Sequence, residues 1–160
     1  MTVIPKKGLW DTLVSLWSIL SLMHIFGLAF GVGGASAKFA LFMKSYSDKE
    51  SAPVFIKFAK PISQLILLGL ILLTVSGIGW AALGYPEKQM LVVKHILVAV
   101  LWVVGILINN VYEPKLHRLA PTPGQSLTSG FFQVQKQLLA LEAVGTICFY
   151  TIAVLGVLLE

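Results

Sequence analysis

Charged residues divide the chain into four long apolar runs: Thr12 to Ala37, Pro61 to Pro86, His95 to Tyr112 and Ala143 to Leu159. A helix that crosses the hydrocarbon core of a bilayer needs about 20 predominantly apolar residues. The first two runs meet that length alone. The last two meet it when extended toward their starts, which brings Lys94 and Glu142 to the membrane edge. The pattern predicts helices at about 13–44, 54–83, 87–113 and 130–159. Within each helix the backbone N–H and C=O groups satisfy one another, as lipid requires. The expected fold class is therefore an all-α integral membrane protein, a four-transmembrane-helix bundle forming a single membrane domain over residues 1–160.

Turn-forming residues punctuate these runs. Ser45 to Ser51 reads as a polar loop, Pro53 as the first turn of a short amphipathic approach, and Pro61 as the beginning or a kink of the second helix. Gly84-Tyr85-Pro86 reads as a tight turn. The third helix is expected to reach Tyr112 and to continue past Pro114. Ala120 to Ser129, with Pro121, Pro123 and Gly124, forms the longest polar connection. The first run does not read as a cleavable signal peptide. It is too long, and it passes without a cleavage motif into Lys38 and the amphipathic Phe39 to Lys44.

Composition agrees with a membrane protein: 57% of residues are hydrophobic and only 12% charged, and the mean hydropathy is +0.86. The net charge of +5 is unevenly placed. Lys38, Lys44, Lys49, Lys57, Lys60, Lys115, Arg118 and Lys136 fall on one side of the four spans, and Lys6, Lys7, Lys88 and Lys94 on the other. The positive-inside rule then places the first and third connections in the cytoplasm and both termini outside, in a multi-pass protein of the cell membrane. Anionic lipid headgroups suffice as partners for these bases, and nucleic acid need not be invoked. Cys148 is the single cysteine, so neither an intrachain disulfide nor a C-x-x-C-H haem attachment can form.

At 3.6 residues per turn, His24, Gly27, Gly31 and Gly34 share one helical stripe. Such glycines allow close helix packing. They also leave a face on which a porphyrin held by His24 can lie. His95 begins another span that runs in the same direction, at a depth similar to that of His24, so the two imidazoles can face one another across a non-covalent haem b. Two axial histidines suit electron transfer, and one leaves a coordination position for chemistry. The competing role for either histidine is an interhelical hydrogen bond. Lys94 can snorkel to headgroups or meet a haem propionate. Trp102 and Asn109 continue the stripe of His95 in seven-residue steps. Glu142 is expected to pair with Lys38 or Lys136, with proton transfer as its alternative role. His117 lies in a basic connection and reads as solvent-exposed.

Met23-His24-Ile25-Phe26-Gly27 through Gly33-Gly34, followed by Val93-Lys94-His95-Ile96-Leu97-Val98, resembles a broad family of small four-helix membrane proteins. That family includes the membrane-bound protoporphyrinogen oxidases and the copper-resistance D-like proteins. The resemblance implies a haem-associated role for His24 and Lys94.

Three functions follow as expectations. The first is a haem b-binding, cytochrome b-like electron carrier with His24 and His95 as iron ligands, exchanging electrons with a quinol or a redox protein. The second is a haem-dependent protoporphyrinogen oxidase. The third, copper transport or a structural membrane subunit, needs no haem, and the methionines do not cluster with the histidines as a copper site would favour. The small-residue stripe also favours a homo-oligomer, with a dimer expected first.

Overall fold

The computed structural model describes residues 7–47, 52–84, 89–120 and 128–158. Helix α1 spans Lys7–Ser47, α2 Ala52–Ala82 and α3 Gln89–Leu107. A π-helical turn, Ile108–Tyr112, joins α3 to the short α4, Glu113–Arg118, and α5 spans Ser129–Val157. Among the described residues, four segments are long and apolar enough to cross a membrane: Val14–Tyr46, Pro53–Ala82, Val92–Arg118 and Ser129–Val157. The chain is an all-α four-helix membrane bundle.

The surface has the polarity that lipid selects. Val14, Ile25, Ile78, Val103, Ile147 and Val157 all point outward, where a soluble bundle would carry charges. Helix α1 has 41 residues, about 60 Å at 1.5 Å per residue, well beyond the hydrocarbon thickness. Ser45 to Ser47, expected in a loop, extend this helix; the rest of that loop lies outside the described residues. Pro61 sits inside a continuous α2 rather than at its start. Its ring removes the N–H that would have bonded to the carbonyl of Lys57.

Pro114 has a clearer structural counterpart. Lacking an N–H, it cannot bond to the Asn110 carbonyl, and the chain ahead of it widens into the π turn, with the Glu113 N–H bonded to the Ile108 carbonyl. Gly84, just past the end of α2, has φ +80°, a conformation glycine adopts without steric cost. Tyr85 and Pro86 lie outside the described residues, as does most of the Ala120 to Ser129 connection. Thr128 caps α5 by accepting the Phe131 N–H at 3.3 Å.

Helix α1 packs mainly on α2 and secondarily on α5, while α3 packs on α5 and more lightly on α2. This places α1 and α3 diagonally across the bundle. Two apolar cores lie along its axis. One contains Phe42, Phe55, Ile108, Leu116, Phe131 and Leu138, with Phe42 and Phe55 meeting edge to face at 4.6 Å. The other contains Ala35, Leu70, Leu101, Phe149 and Ile152.

Candidate functional site

Charged and polar side chains are buried at and beside the boundary of these two cores. On α1, Lys38 lies between Ala35 and Phe42; on α5, Glu142 lies between Leu138 and Cys148. Glu113 lies between Ile108 and Leu116, both of the first core, and Ser63 on α2 lies between Ala59 of the first core and Leu70 of the second. All four side chains meet. Lys38 Nζ donates to Ser63 Oγ at 2.5 Å and to Glu113 Oε1 at 2.6 Å, and it lies 2.5 Å from Glu142 Oε1. Ser63 Oγ in turn donates to Glu113 Oε1 at 2.5 Å.

Burial is nearly complete: Lys38 is 1% exposed, Glu142 4% and Glu113 5%. In such surroundings a charge is held only by close opposite charge and hydrogen bonds, because desolvation costs several kcal/mol per ion, on the order of its attraction to a partner. The Glu142–Lys38 pairing anticipated from sequence is present. Lys38 itself was grouped with the cytoplasmic loop charges, yet it lies inside the bundle because Glu113 and Glu142 replace water around it. Glu113 and Ser63 were not recognised from sequence. The signal for Glu113 was available: a carboxylate one turn beyond Asn109, at the end of an apolar span, with an opposite charge needed elsewhere in the membrane.

Beside the cluster is a cavity of about 50 Å³, room for one or more water molecules. Its polar lining comprises Lys38, Ser63, Asn109, Glu142 and Thr146. Leu70, Leu101 and Phe149 form apolar walls.

The histidine site lies elsewhere. Between His24 and Lys38 are fourteen helical steps, or about 21 Å along α1. His24 Nδ1 is 2.9 Å from Ser76 Oγ on α2, and its ring centroid is 4.7 Å from that of Trp80. The interhelical hydrogen bond expected as an alternative role is therefore present. Lys94 interacts electrostatically with His24 and reaches toward α5, its Nζ 3.9 Å from where a Cβ on Gly156 would stand. His95 is exposed, on a helix diagonal to α1. Trp102 Nε1 donates to Thr74 Oγ1 at 3.1 Å, tying α3 to α2, and Asn109 Nδ2 donates to the Gly105 carbonyl at 3.0 Å. His117 is exposed, as expected.

The glycine stripe is occupied. A Cβ at Gly27 would stand 2.9 Å from Leu73 and 3.0 Å from the Gly69 carbonyl; one at Gly31 would overlap the Phe149 ring, and one at Gly34 would stand 2.8 Å from Ile66. From the other side, a Cβ at Gly69 would be 2.5 Å from the Gly31 nitrogen. Two backbones approach here as only glycines permit. A porphyrin does not fit along Gly27, Gly31 and Gly34 beside the packed α2 and α5, so close helix packing is the role these residues have in the bundle. Among the described residues, no three His, Cys, Asp or Glu side chains group as a metal-ion site. Comparison with protein-family models, curated proteins and solved structures gives no match.

Proposed function

We propose that this chain is a proton-exchanging membrane protein, with the Lys38–Glu113–Glu142 cluster as the group that takes up and releases the proton. The observation that carries this reading is one buried ammonium held between two buried carboxylates from different helices. A structural ion pair needs one carboxylate. The second gives a fully ionised cluster one excess negative charge in a medium that tolerates it poorly, so a proton is the simplest neutralising group. Ser63 donates to Glu113, which stabilises Glu113 as the ionised partner of Lys38. Glu142 Oε1 lies 2.5 Å from Lys38 Nζ, whereas Glu113 Oε1 receives both Lys38 and Ser63, which makes Glu142 the better proton acceptor. The cavity beside it can hold the water through which a proton arrives.

The test is proton uptake after a pH step, read with an indicator dye in weakly buffered detergent. The native protein should bind one proton per chain more than Glu142→Gln. Identical uptake by the two proteins contradicts the reading. Lys44, Lys57, Lys60, Lys115, Arg118 and Lys136 lie toward the cluster end of the bundle, and this distribution supports the cytoplasmic side of the cell membrane for that end.

A second reading is favoured by His24. If its Nδ1–H donates to Ser76, the other ring nitrogen carries the lone pair that binds metal, the usual outer-shell arrangement for a ligating histidine. Lys94, linked electrostatically to His24, supplies a cation for a propionate. In this reading His24 holds a haem b at the edge of the bundle, outside the packed glycine stripe. Exposed His95 then serves as the second ligand from another copy of the chain, in a dimer. The group would supply one-electron transfer, with a quinol or redox protein as partner.

A further inference from the structure

The buried positions of the third span change phase at the π turn. Leu101, Val104 and Ile108 follow one another at steps of three and four, as one face of an α-helix does, yet the next buried residue is Glu113, five beyond Ile108, and then Leu116. Five is the repeat of a π turn. The Glu113 N–H bonds to the Ile108 carbonyl, so one extra residue is absorbed there while the buried face continues into α4.

An uninterrupted α-helix advances about 100° per residue, which would carry Glu113 about 140° around from Ile108 and bring Lys115 to within about 20° of it. Lys115 would then take the buried face. The structure has the opposite arrangement: Glu113 is 5% exposed and meets Lys38 at 2.6 Å, whereas Lys115, His117 and Arg118 are exposed. Pro114 explains why the shift falls at this point, because it has no N–H for the Asn110 carbonyl and its ring clashes with that carbonyl in α geometry.

We infer that Pro114 is a positioning residue for the cluster: by holding the π turn, it sets the phase of α4 that places Glu113, and not Lys115, on the buried face beside Lys38. The proline thereby supplies the second carboxylate. Its consequence for the proton rests on the proton-exchange reading, since Lys38 and Glu142 without Glu113 form a balanced pair. The placement of Glu113 does not rest on it.

The test is a double-mutant cycle on the full chain, unfolded reversibly in mixed micelles, with Lys38→Met, Glu113→Gln and the two combined. The cycle is run in native protein, in Pro114→Ala, and in Pro114→Ala with Val111 deleted. Alanine restores the N–H and favours the helix, so the π turn closes to α and Glu113 rotates away. Val111 is 48% exposed, and deleting it makes Glu113 the fourth residue after Ile108, which returns it to phase in an α-helix. Coupling between Lys38 and Glu113 should be present in native protein, lost in Pro114→Ala and recovered in the deletion variant. Coupling retained in Pro114→Ala overturns the inference, as does coupling that the deletion fails to restore. The infrared band of a Glu142-dependent carboxylic acid should weaken and recover in the same order. Native protein without that band removes the proton reading, and the cycle still decides the role of Pro114.

Discussion

Lys38 of α1 and Glu142 of α5 meet at 2.5 Å, both almost wholly enclosed, with Glu113 held on the same ammonium at 2.6 Å. The contact joins the two helices at the layer where one apolar core ends and the other begins. Removing Lys38 leaves two carboxylates without compensation, whereas removing all three charges leaves none to compensate.

That asymmetry predicts the behaviour of two variants. Lys38→Met alone should cost about 3–5 kcal/mol, since two carboxylates lose the cation that pairs with both of them. Lys38→Met/Glu113→Gln/Glu142→Gln should recover most of that loss or exceed the native stability. Reversible unfolding in mixed detergent micelles measures both. A triple variant as unstable as the single one would show that packing at these positions, and not charge, dominates.

Glycine substitutions separate packing from propensity. In Gly69→Ala the new Cβ meets backbone of α1, which cannot rotate away, so a loss of more than about 1–3 kcal/mol is expected. Gly33→Ala has no neighbour within 4 Å and should be neutral or stabilising by up to about 1 kcal/mol through helix propensity. Equal effects in the same unfolding assay would contradict the close approach of α1 and α2.

The haem reading makes its own prediction. Protein purified with ample haem supply should carry a reducible visible spectrum, lost or made high-spin in His24→Ala and unchanged in His117→Ala. Ser76→Ala should shift the spectrum without abolishing it, because Ser76 orients the ring through Nδ1. Colourless native protein would leave His24 with its structural hydrogen bond alone.

The four spans were legible because lipid imposes one rule on every segment, a sufficient apolar length, and that rule acts locally. The helix ends were less so: α1 runs through Ser45 to Ser47, where polar residues at the membrane boundary are compatible with both helix and loop. Pairing Glu142 with Lys38 followed from matching depth. Glu113 and Ser63 escaped because their importance depends on which helices are neighbours, which apolar length does not encode. The same gap affected the glycines. Their spacing predicted a bare stripe, but only the position of α2 decided whether another helix or a cofactor would occupy it.

A pH profile follows from the charge count. With Glu142 as the acceptor, native protein should show a pH-dependent unfolding midpoint that differs from that of Glu142→Gln, while Lys136→Ala, on an exposed face of the same helix, should retain the native profile. Superimposable native and Glu142→Gln profiles would remove Glu142 from the titration.

Infrared difference spectroscopy across a pH titration tests the central claim most directly, because a protonated carboxylic acid and a carboxylate absorb separately. The account predicts a C=O stretch from one buried carboxylic acid that grows on acidification, is absent in Glu142→Gln and is weakened in Glu113→Gln, where Lys38 and Glu142 are left as a balanced pair. No buried-acid band at any pH at which the protein stays folded, or a band unaffected by Glu142→Gln, would contradict it.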